Sequence, residues 1–116
     1  MTRSIQKDLL SAVWQGRETH RDAPMLTFVH VEADGRLSDE FRSYDQLWRN
    51  GSAVCEALAG HGMRAGDAFA LLMHSHPEFV DCMVGSAMAG TVFVPLDPRI
   101  SGEKLKFMLD FSDCRG

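Results

Sequence analysis

Two short apolar runs, separated by an apolar helical segment, constrain the fold of this chain most strongly. Ala68 to His74 is apolar on both faces, which is typical of a strand inside a parallel sheet, and Thr91 to Val94 predicts the next strand. Between them, Ser75-His-Pro-Glu78 has a cap candidate, a first-turn proline and an acid, so it predicts a helix start, and Gly90 predicts the helix end. The segment therefore predicts a right-handed βαβ unit with parallel strands.

The central helix of this unit is expected to be deeply buried. The run from Phe79 to Met88 is apolar over most of its circumference, and Gly85 and Ala89 would allow close approach of a neighbouring backbone. A parallel sheet needs helices on both faces and neighbours at both edges. We therefore expect an α/β fold, a partial layered sheet with one parallel βαβ unit and an N-terminal hairpin. Residues 1–116 would form an incomplete first segment of a larger domain.

The N-terminal third predicts one helix and one hairpin. Apolar residues recur at helical spacing from Ser4 to about Arg17, and Ser4 is a candidate N-cap. Met25 to Val31 has strand composition, and Asp34-Gly35 is typical of a hairpin turn. The returning segment, Leu37 to Phe41, is polar in its centre and predicts a looser or solvent-facing strand.

A second helix is predicted from Ser43, a candidate N-cap, to Gly62, a candidate left-handed terminator. Its apolar stripe contains Tyr44, Leu47, Trp48, Gly51, Val54, Cys55 and Leu58. Arg64 to Asp67 predicts a turn before the first apolar strand.

The last helix is predicted to begin after Ser101. Its apolar face would contain Leu105, Phe107, Met108, Leu109 and Phe111, which we interpret as core-filling residues, like the seven methionines. Asp113 to Gly116 is typical of a loop that precedes another strand.

Composition excludes several function classes. A net charge of −4 without a basic run argues against a nucleic-acid or anionic-membrane partner. The longest apolar runs, such as Phe69 to Met73, are too short to span a bilayer, and the N-terminus lacks a signal-peptide core. Cys55, Cys82 and Cys114 form no C-x-x-C pair, which predicts a reduced, cytoplasmic protein.

Few residues are candidates for chemistry, and each has a simpler interpretation. His74 and His76 could bind a metal, but no third ligand is near in sequence, so a structural or solvent-exposed role is favoured. The frame Gly85 to Gly90 imitates a phosphate loop, yet it lacks the lysine and falls inside a helix. Asp97 and Arg99 flank a proline and predict a turn with a surface ion pair. Of the cysteines, Cys55 and Cys82 are expected to be inert and Cys114 more accessible. We therefore assign no catalytic, cofactor-binding or metal-binding residue.

Three blocks occur in a fixed order, namely Arg42 to Leu47, Gly62 to Asp67 with Ser75 to Phe79, and Ala89 to Pro98. Together they resemble the AMP-forming adenylating enzymes, the superfamily of acyl-CoA synthetases, peptide-synthetase adenylation domains and luciferases. Arg42 to Leu47 (Arg-Ser-Tyr-Asp-Gln-Leu) resembles the first core motif, with Gln46 in place of the usual acid. Gly62 to Asp67, followed by a strand and Ser75 to Phe79, is similar to a second block, although the usual Asn has no clear counterpart. Ala89 to Pro98 (Ala-Gly-Thr-Val-Phe-Val-Pro-Leu-Asp-Pro) resembles the second core motif.

The resemblance implies scaffold roles for Tyr44 and Pro95, and none of the matched residues is catalytic in the family. The family's lysine-containing phosphate loop, its magnesium-binding and ribose-binding acids and its C-terminal-domain lysine have no counterpart here. For the parent enzyme, the resemblance implies ATP, Mg²⁺ and CoA as cofactors. Its partners would be a small carboxylic acid and the remainder of the same ligase.

Two alternatives to an acyl-CoA synthetase stay open on the sequence alone. One is a segment of a non-ribosomal peptide synthetase adenylation domain. The other is a small non-enzymatic α/β interaction module, which would form a stable oligomer that buries the third helix and a sheet edge. A ligase segment alone would instead be poorly soluble, because its apolar helix and strand edges would lack partners.

Overall fold

A computed structural model describes the backbone of residues 2–116 and the side chains of residues 9–116. Helices and strands follow one another in the order α1 Thr2–His20, β1 Pro24–Val31, β2 Leu37–Ser43, α2 Tyr44–Gly60, β3 Ala68–Leu72, α3 Pro77–Ala89, β4 Val92–Leu96 and α4 Gly102–Phe111. The strands form an antiparallel pair, β1–β2, and a parallel pair, β3–β4. The predicted fold class, with one hairpin and one parallel βαβ unit, is confirmed.

The hairpin turns where Asp34-Gly35 predicted it. Gly35 has a φ of +85°, a left-handed conformation that glycine adopts without a side-chain clash. The Asp34 carboxylate accepts from the backbone N–H of Arg36 at 3.0 Å and closes the turn. Of the predicted alternatives, a looser or a solvent-facing return strand, the first was wrong, because β2 pairs with β1 from Leu37 to Ser43, and the second agrees with the exposed Leu37, Asp39 and Phe41. Backbone pairing, which its polar sequence did not reveal, keeps the strand regular.

The parallel pair runs in register from Ala68↔Val92 to Leu72↔Leu96, so β3–α3–β4 is the predicted parallel βαβ unit; its right-handedness stays a prediction. The other edge of β3 is also occupied. Cys114 forms a parallel bridge with Ala68, and the Ala70 N–H donates to the Gly116 carbonyl at 2.8 Å. The sequence of Asp113 to Gly116 predicted a loop that precedes another strand, whereas these residues already lie as a strand-like segment beside β3.

The core lies where three helices meet. Val13 of α1, Leu47 of α2 and Val84 of α3 are each at most 1% exposed. Partly buried side chains surround them, namely Leu9, Leu10, Met25, Leu26, Trp48, Val80 and Met88. The predicted stripe of α2 and the predicted burial of α3 therefore face each other, and α1 covers their crossing.

Helix ends follow the sequence signals in part. Ser43 accepts from the Gln46 N–H, and the Gln46 side chain accepts from the Ser43 N–H, which forms a complete capping box. Gly62 and Gly90 follow α2 and α3 in left-handed conformations, as predicted. Ser75, however, does not cap α3: the helix begins at Pro77, so His76 occupies the N-cap position. Helix α1 already begins at Thr2, and the side chain of Ser4 lies outside the described residues.

The interpretation of α4 as wholly core-filling was wrong for its two phenylalanines. Phe107 and Phe111 are 65% and 82% exposed, and their rings stack on each other 5.9 Å apart. Their spacing of four places them on a side of the helix away from the half-buried Leu105, Met108 and Leu109. No helix among residues 2–116 has the length and apolar character needed to cross a membrane.

Candidate functional site

The carboxyl ends of β3 and β4 meet at one edge of the parallel sheet and open into a cleft of about 290 Å³. Ligands of open α/β sheets bind at this edge, beyond the ends of the strands. The cleft is mostly apolar, with one hydroxyl and one carboxylate, and its lining residues are Met73, Ser75, Phe79, Pro95, Leu96, Asp97 and Pro98. Pro95, a scaffold position by resemblance, lies opposite Leu71 in the strand register.

The Asp97 carboxylate is hydrogen-bonded within its own turn. The Arg99 guanidinium donates to both carboxylate oxygens, at 2.6 Å from Nη2 and 3.0 Å from Nε, and the Arg99 backbone N–H donates at 2.9 Å. The side-chain bonds from Arg99, followed by its backbone bond, hold the pKa of Asp97 well below its usual range. The predicted surface ion pair is confirmed, and an ionised Asp97 held by Arg99 is a poor proton donor or acceptor.

The two histidines at the same edge are exposed, and their rings meet edge to face with centroids 6.4 Å apart. Among the described side chains, no group of three or more His, Cys, Asp or Glu residues is placed to hold a metal ion. The exposure of both rings agrees with the structural or solvent-exposed interpretation of His74 and His76. The glycine frame from Gly85 to Gly90 lies within and directly after α3, which also agrees with its rejection as a phosphate loop.

A second cleft, of about 330 Å³, lies between the hairpin and the start of α2 and is lined by Asp22, Pro24, Phe41, Ser43 and Gln46. The Ser43 hydroxyl and the Gln46 amide oxygen are already used by the capping box. Tyr44, the other scaffold position by resemblance, begins α2 and packs its ring directly against Gly16 of α1. These motif residues therefore join α2 to its neighbours.

An ionic cluster that sequence reasoning missed joins the hairpin to α3. Arg42 of β2 donates from Nη1 to Glu40 at 2.8 Å and from Nη2 to Glu78 at 3.4 Å. Its Nε lies 3.5 Å from Asp81 Oδ2, which accepts from Asn50 of α2 at 3.2 Å. The Arg42 and Asp81 side chains are only 14% and 8% exposed. One signal was available, because Asp81 interrupts an otherwise apolar helix stretch.

The pKa values of Asp81 and Arg42, the two buried members of this cluster, are set by different balances of burial against hydrogen bonds and nearby charges. Burial raises the pKa of Asp81, and the hydrogen bond from Asn50 and the charge of Arg42 only partly offset it. Burial lowers the pKa of Arg42, but its bond to Glu40 and the nearby charges of Asp81 and Glu78 outweigh this and raise it. Asp81 is thus poorly stabilised as an anion, whereas Arg42 is firmly charged.

The three cysteines are unpaired and half-buried. Burial raises the pKa of the Cys82 thiol, with the Asp81 charge as a smaller cause, and burial also raises the pKa of Cys114. The raised pKa of Cys82 agrees with its predicted inertness, whereas the predicted greater accessibility of Cys114 is not supported, because Cys114 is half-buried like Cys55 and Cys82.

Comparison with known proteins explains the motifs. The family described as "AMP-binding enzyme" matches residues 13–116. Crotonobetaine/carnitine–CoA ligase of Salmonella paratyphi A is 39% identical over 95 residues, which are 82% of this chain and 18% of that protein. Nonribosomal peptide synthetase 2 of Cochliobolus heterostrophus is 25% identical over 112 residues, which are 97% of this chain and 2% of that protein.

Solved structures share the fold of this chain. The fatty acid AMP ligase of Legionella pneumophila superposes with a TM-score of 0.80 at 22% identity, covering 91% of this chain and 18% of that structure. The chain thus spans less than a fifth of the length of each relative named here. Because the family match extends over most of the chain and the fold agrees, this chain belongs to the AMP-binding enzymes, the family of AMP-forming ligases.

Proposed function

We propose that residues 1–116 are the first α/β segment of the large N-terminal domain of an ATP-dependent acyl-CoA synthetase. In the first half-reaction of such an enzyme, a carboxylate oxygen attacks the α-phosphate of ATP, and pyrophosphate leaves. In the second, the thiol sulfur of CoA attacks the acyl carbon, loses its proton and displaces AMP to give a thioester. The substrate would be a small or medium carboxylic acid.

The observation that carries this proposal is the position of the core motif Ala89 to Pro98. It forms the end of α3, the whole of β4 and the start of the carboxyl-edge cleft, within a family match that spans residues 13–116. The similarity to a CoA ligase over most of the chain supports the CoA-dependent reaction. A reduced, cytoplasmic setting agrees with the three unpaired cysteines.

The role proposed for this segment is structural. Transfer of the adenylyl group from ATP to a carboxylate requires metal, lysine and backbone N–H groups that neutralise phosphate charge. The acid at the carboxyl edge, Asp97, is bound by Arg99, and the described side chains form no metal-ligand group. We therefore place the binding of ATP, Mg²⁺ and CoA on other parts of the parent enzyme, with this segment supporting them.

A second candidate is the adenylation domain of a non-ribosomal peptide synthetase. The similarity to the Cochliobolus nonribosomal peptide synthetase, which extends over nearly the whole chain, favours it. The two candidates share the adenylation step and differ in the thiol acceptor, which is CoA in one case and a carrier-protein thiol in the other.

A chimera tests the scaffold role. Residues 13–116 would replace the matching segment of the Salmonella crotonobetaine/carnitine–CoA ligase, and crotonobetaine-dependent ATP–pyrophosphate exchange and CoA thioester formation would be measured. We expect the chimera to retain both activities and the 116-residue chain alone to show neither. A chimera that melts cooperatively but has no exchange would contradict the scaffold role. Exchange by the chain alone would contradict the absence of catalytic residues.

A further inference from the structure

The contact between the hairpin and α3 contains more negative than positive charge. One guanidinium, that of Arg42, faces the carboxylates of Glu40, Glu78 and Asp81, so the cluster has a net charge of −2 when all its groups are ionised. Glu40 and Glu78 are 40% and 58% exposed and remain solvated by water. Asp81 is only 8% exposed and is the member for which a negative charge costs most.

The hydrogen bonds of Asp81 do not satisfy its charge. Its Oδ2 accepts from Asn50, but its buried Oδ1 has no hydrogen-bond partner among the described residues. Arg42 Nε lies 3.5 Å from Oδ2 but makes no hydrogen bond to it, and this buried Nε has no partner within the described part of the chain. The strongest bond of Arg42 goes to Glu40, within β2. Arg42 therefore neutralises Asp81 only partly.

We propose that Asp81 is a proton-binding group of this contact: it takes up a proton as β2 docks on α3, so the docked state becomes more stable as the pH falls. The physical basis is linkage, since a carboxyl that binds protons more tightly in the docked state stabilises that state when protonated. The direction of this pH dependence follows from the burial of Asp81, which disfavours its charged form. The docked state is favoured most below the ordinary pKa of aspartate, and this advantage is lost as the pH rises through the raised pKa of the docked form.

Several other polar and titratable groups surround Asp81. Glu40 has the opposite dependence, because its bonds to Arg42 and then His30 lower its pKa. Its contribution is therefore lost at low pH, and the total effect of pH contains both contributions. The groups that face or neighbour Asp81 are Arg42 and Glu40 of β2, Asn50 of α2, and Glu78 and Cys82 of α3, with His30 of β1 reached through Glu40. A variant at Asp81 is needed to separate the two contributions.

Carbon-13 NMR of the side-chain carboxyl of Asp81, followed as a function of pH in the full chain, is the direct test. We expect its midpoint above the ordinary aspartate range, and a further increase in Arg42→Met, which removes the stabilising cation. Asp97→Asn is the matched control. Asp97 is bound by Arg99 at the carboxyl edge of the parallel sheet, outside the ionic cluster, so this substitution should leave the Asp81 midpoint unchanged. A titration midpoint of Asp81 at or below the ordinary aspartate range would overturn the proposal, whether or not β2 is docked on α3.

Amide hydrogen exchange then tests whether proton binding is coupled to docking. After correction for intrinsic rates, the exchange of β1 and β2 amides should slow severalfold, relative to Asp81→Asn, between about pH 7 and about pH 4. Equal pH dependence in the two proteins would show that Asp81 does not couple docking to the proton. If Asp81→Asn does not fold, the titration in the unaltered chain still decides the proposal.

Discussion

Gly51 of α2 and Gly85 of α3 face each other where the two helices cross. A Cβ atom on Gly85 would lie 2.8 Å from the Gly51 carbonyl oxygen and 2.5 Å from Val54 Cβ. A Cβ atom on Gly51 would lie 2.6 Å from Val84 Cγ1. Since packed interiors leave no room for an added methyl group, the crossing requires glycine on both helices.

Gly85→Ala should therefore destabilise the fold, by about 1–3 kcal/mol, because the helices must separate to admit the methyl group. Chemical denaturation of the full chain measures the change. Gly60→Ala is the matched control: Gly60 is helical and has open space at its Cβ, so alanine there should stabilise the chain by up to about 1 kcal/mol. Equal effects of the two substitutions would contradict the close crossing.

Gly16→Ala should destabilise the contact between α1 and α2. A methyl group at this position would overlap the ring atoms Cε1 and Cδ1 of Tyr44. We expect a loss of about 1–3 kcal/mol beside Tyr44 and a small gain in a Tyr44→Ala background, where only helix propensity acts. A double-mutant cycle on unfolding free energies measures this difference. If the effects of Gly16→Ala and Tyr44→Ala on the unfolding free energy are additive, the Tyr44 ring does not pack against position 16.

Ser43→Ala should cost about 1 kcal/mol, because it removes the side-chain acceptor of the capping box at the start of α2. Ser101→Ala is the control, since Ser101 occupies the N-cap of α4 without a side-chain capping bond and its loss should change stability little. Thermal unfolding of both variants tests the contrast. A larger loss at Ser101 than at Ser43 would contradict it.

Arg42→Met should destabilise the chain by about 3–5 kcal/mol at neutral pH, because it leaves the buried Asp81 carboxylate without its cation. Asp81→Asn should cost far less, since the amide can keep a bond with Asn50 while the buried charge is removed. The defect of Arg42→Met should shrink as the pH falls and Asp81 becomes neutral. Denaturant titrations at several pH values measure this, and the double variant should recover part of the loss.

Alkylation of Cys82 should be slow, since burial and, to a smaller extent, the Asp81 charge raise its thiol pKa and so reduce the thiolate fraction. Asp81→Asn should speed the reaction of Cys82 with iodoacetamide. Cys114 is the internal control, because its raised pKa arises from burial and Asp113 instead. Peptide mass spectrometry separates the two sites. An equal acceleration at both would indicate general loosening of the fold.

Local signals predicted the elements of this fold well. The Asp34-Gly35 turn, the Ser43 cap and the glycine after α3 act within a few residues, so the sequence shows both the residue and its task. The packing of α4 could not be obtained in this way. Spacing places Phe107 and Phe111 on one side of the helix, but only the tertiary arrangement decides which side of the helix is buried.

The ionic cluster illustrates the same limit for a candidate site. Asp81 is visible in the sequence as a charge within an apolar helix, yet nothing local identifies Arg42 as its partner, because the two lie on different elements. The exposed Asp97–Arg99 pair was predictable, since its members are two residues apart and share one turn.

The hairpin and the parallel pair are separate sheets within residues 2–116, with no strand in common. Lengthening or shortening the turn at Asp34-Gly35 therefore cannot shift the register of Ala68 against Val92 through the main chain. Such a change can reach the βαβ unit only through α2, which follows β2 directly, or through side-chain contacts such as those of Arg42, Met25 and Leu26. The tip of the hairpin is thus a suitable place to insert an epitope or a fluorophore.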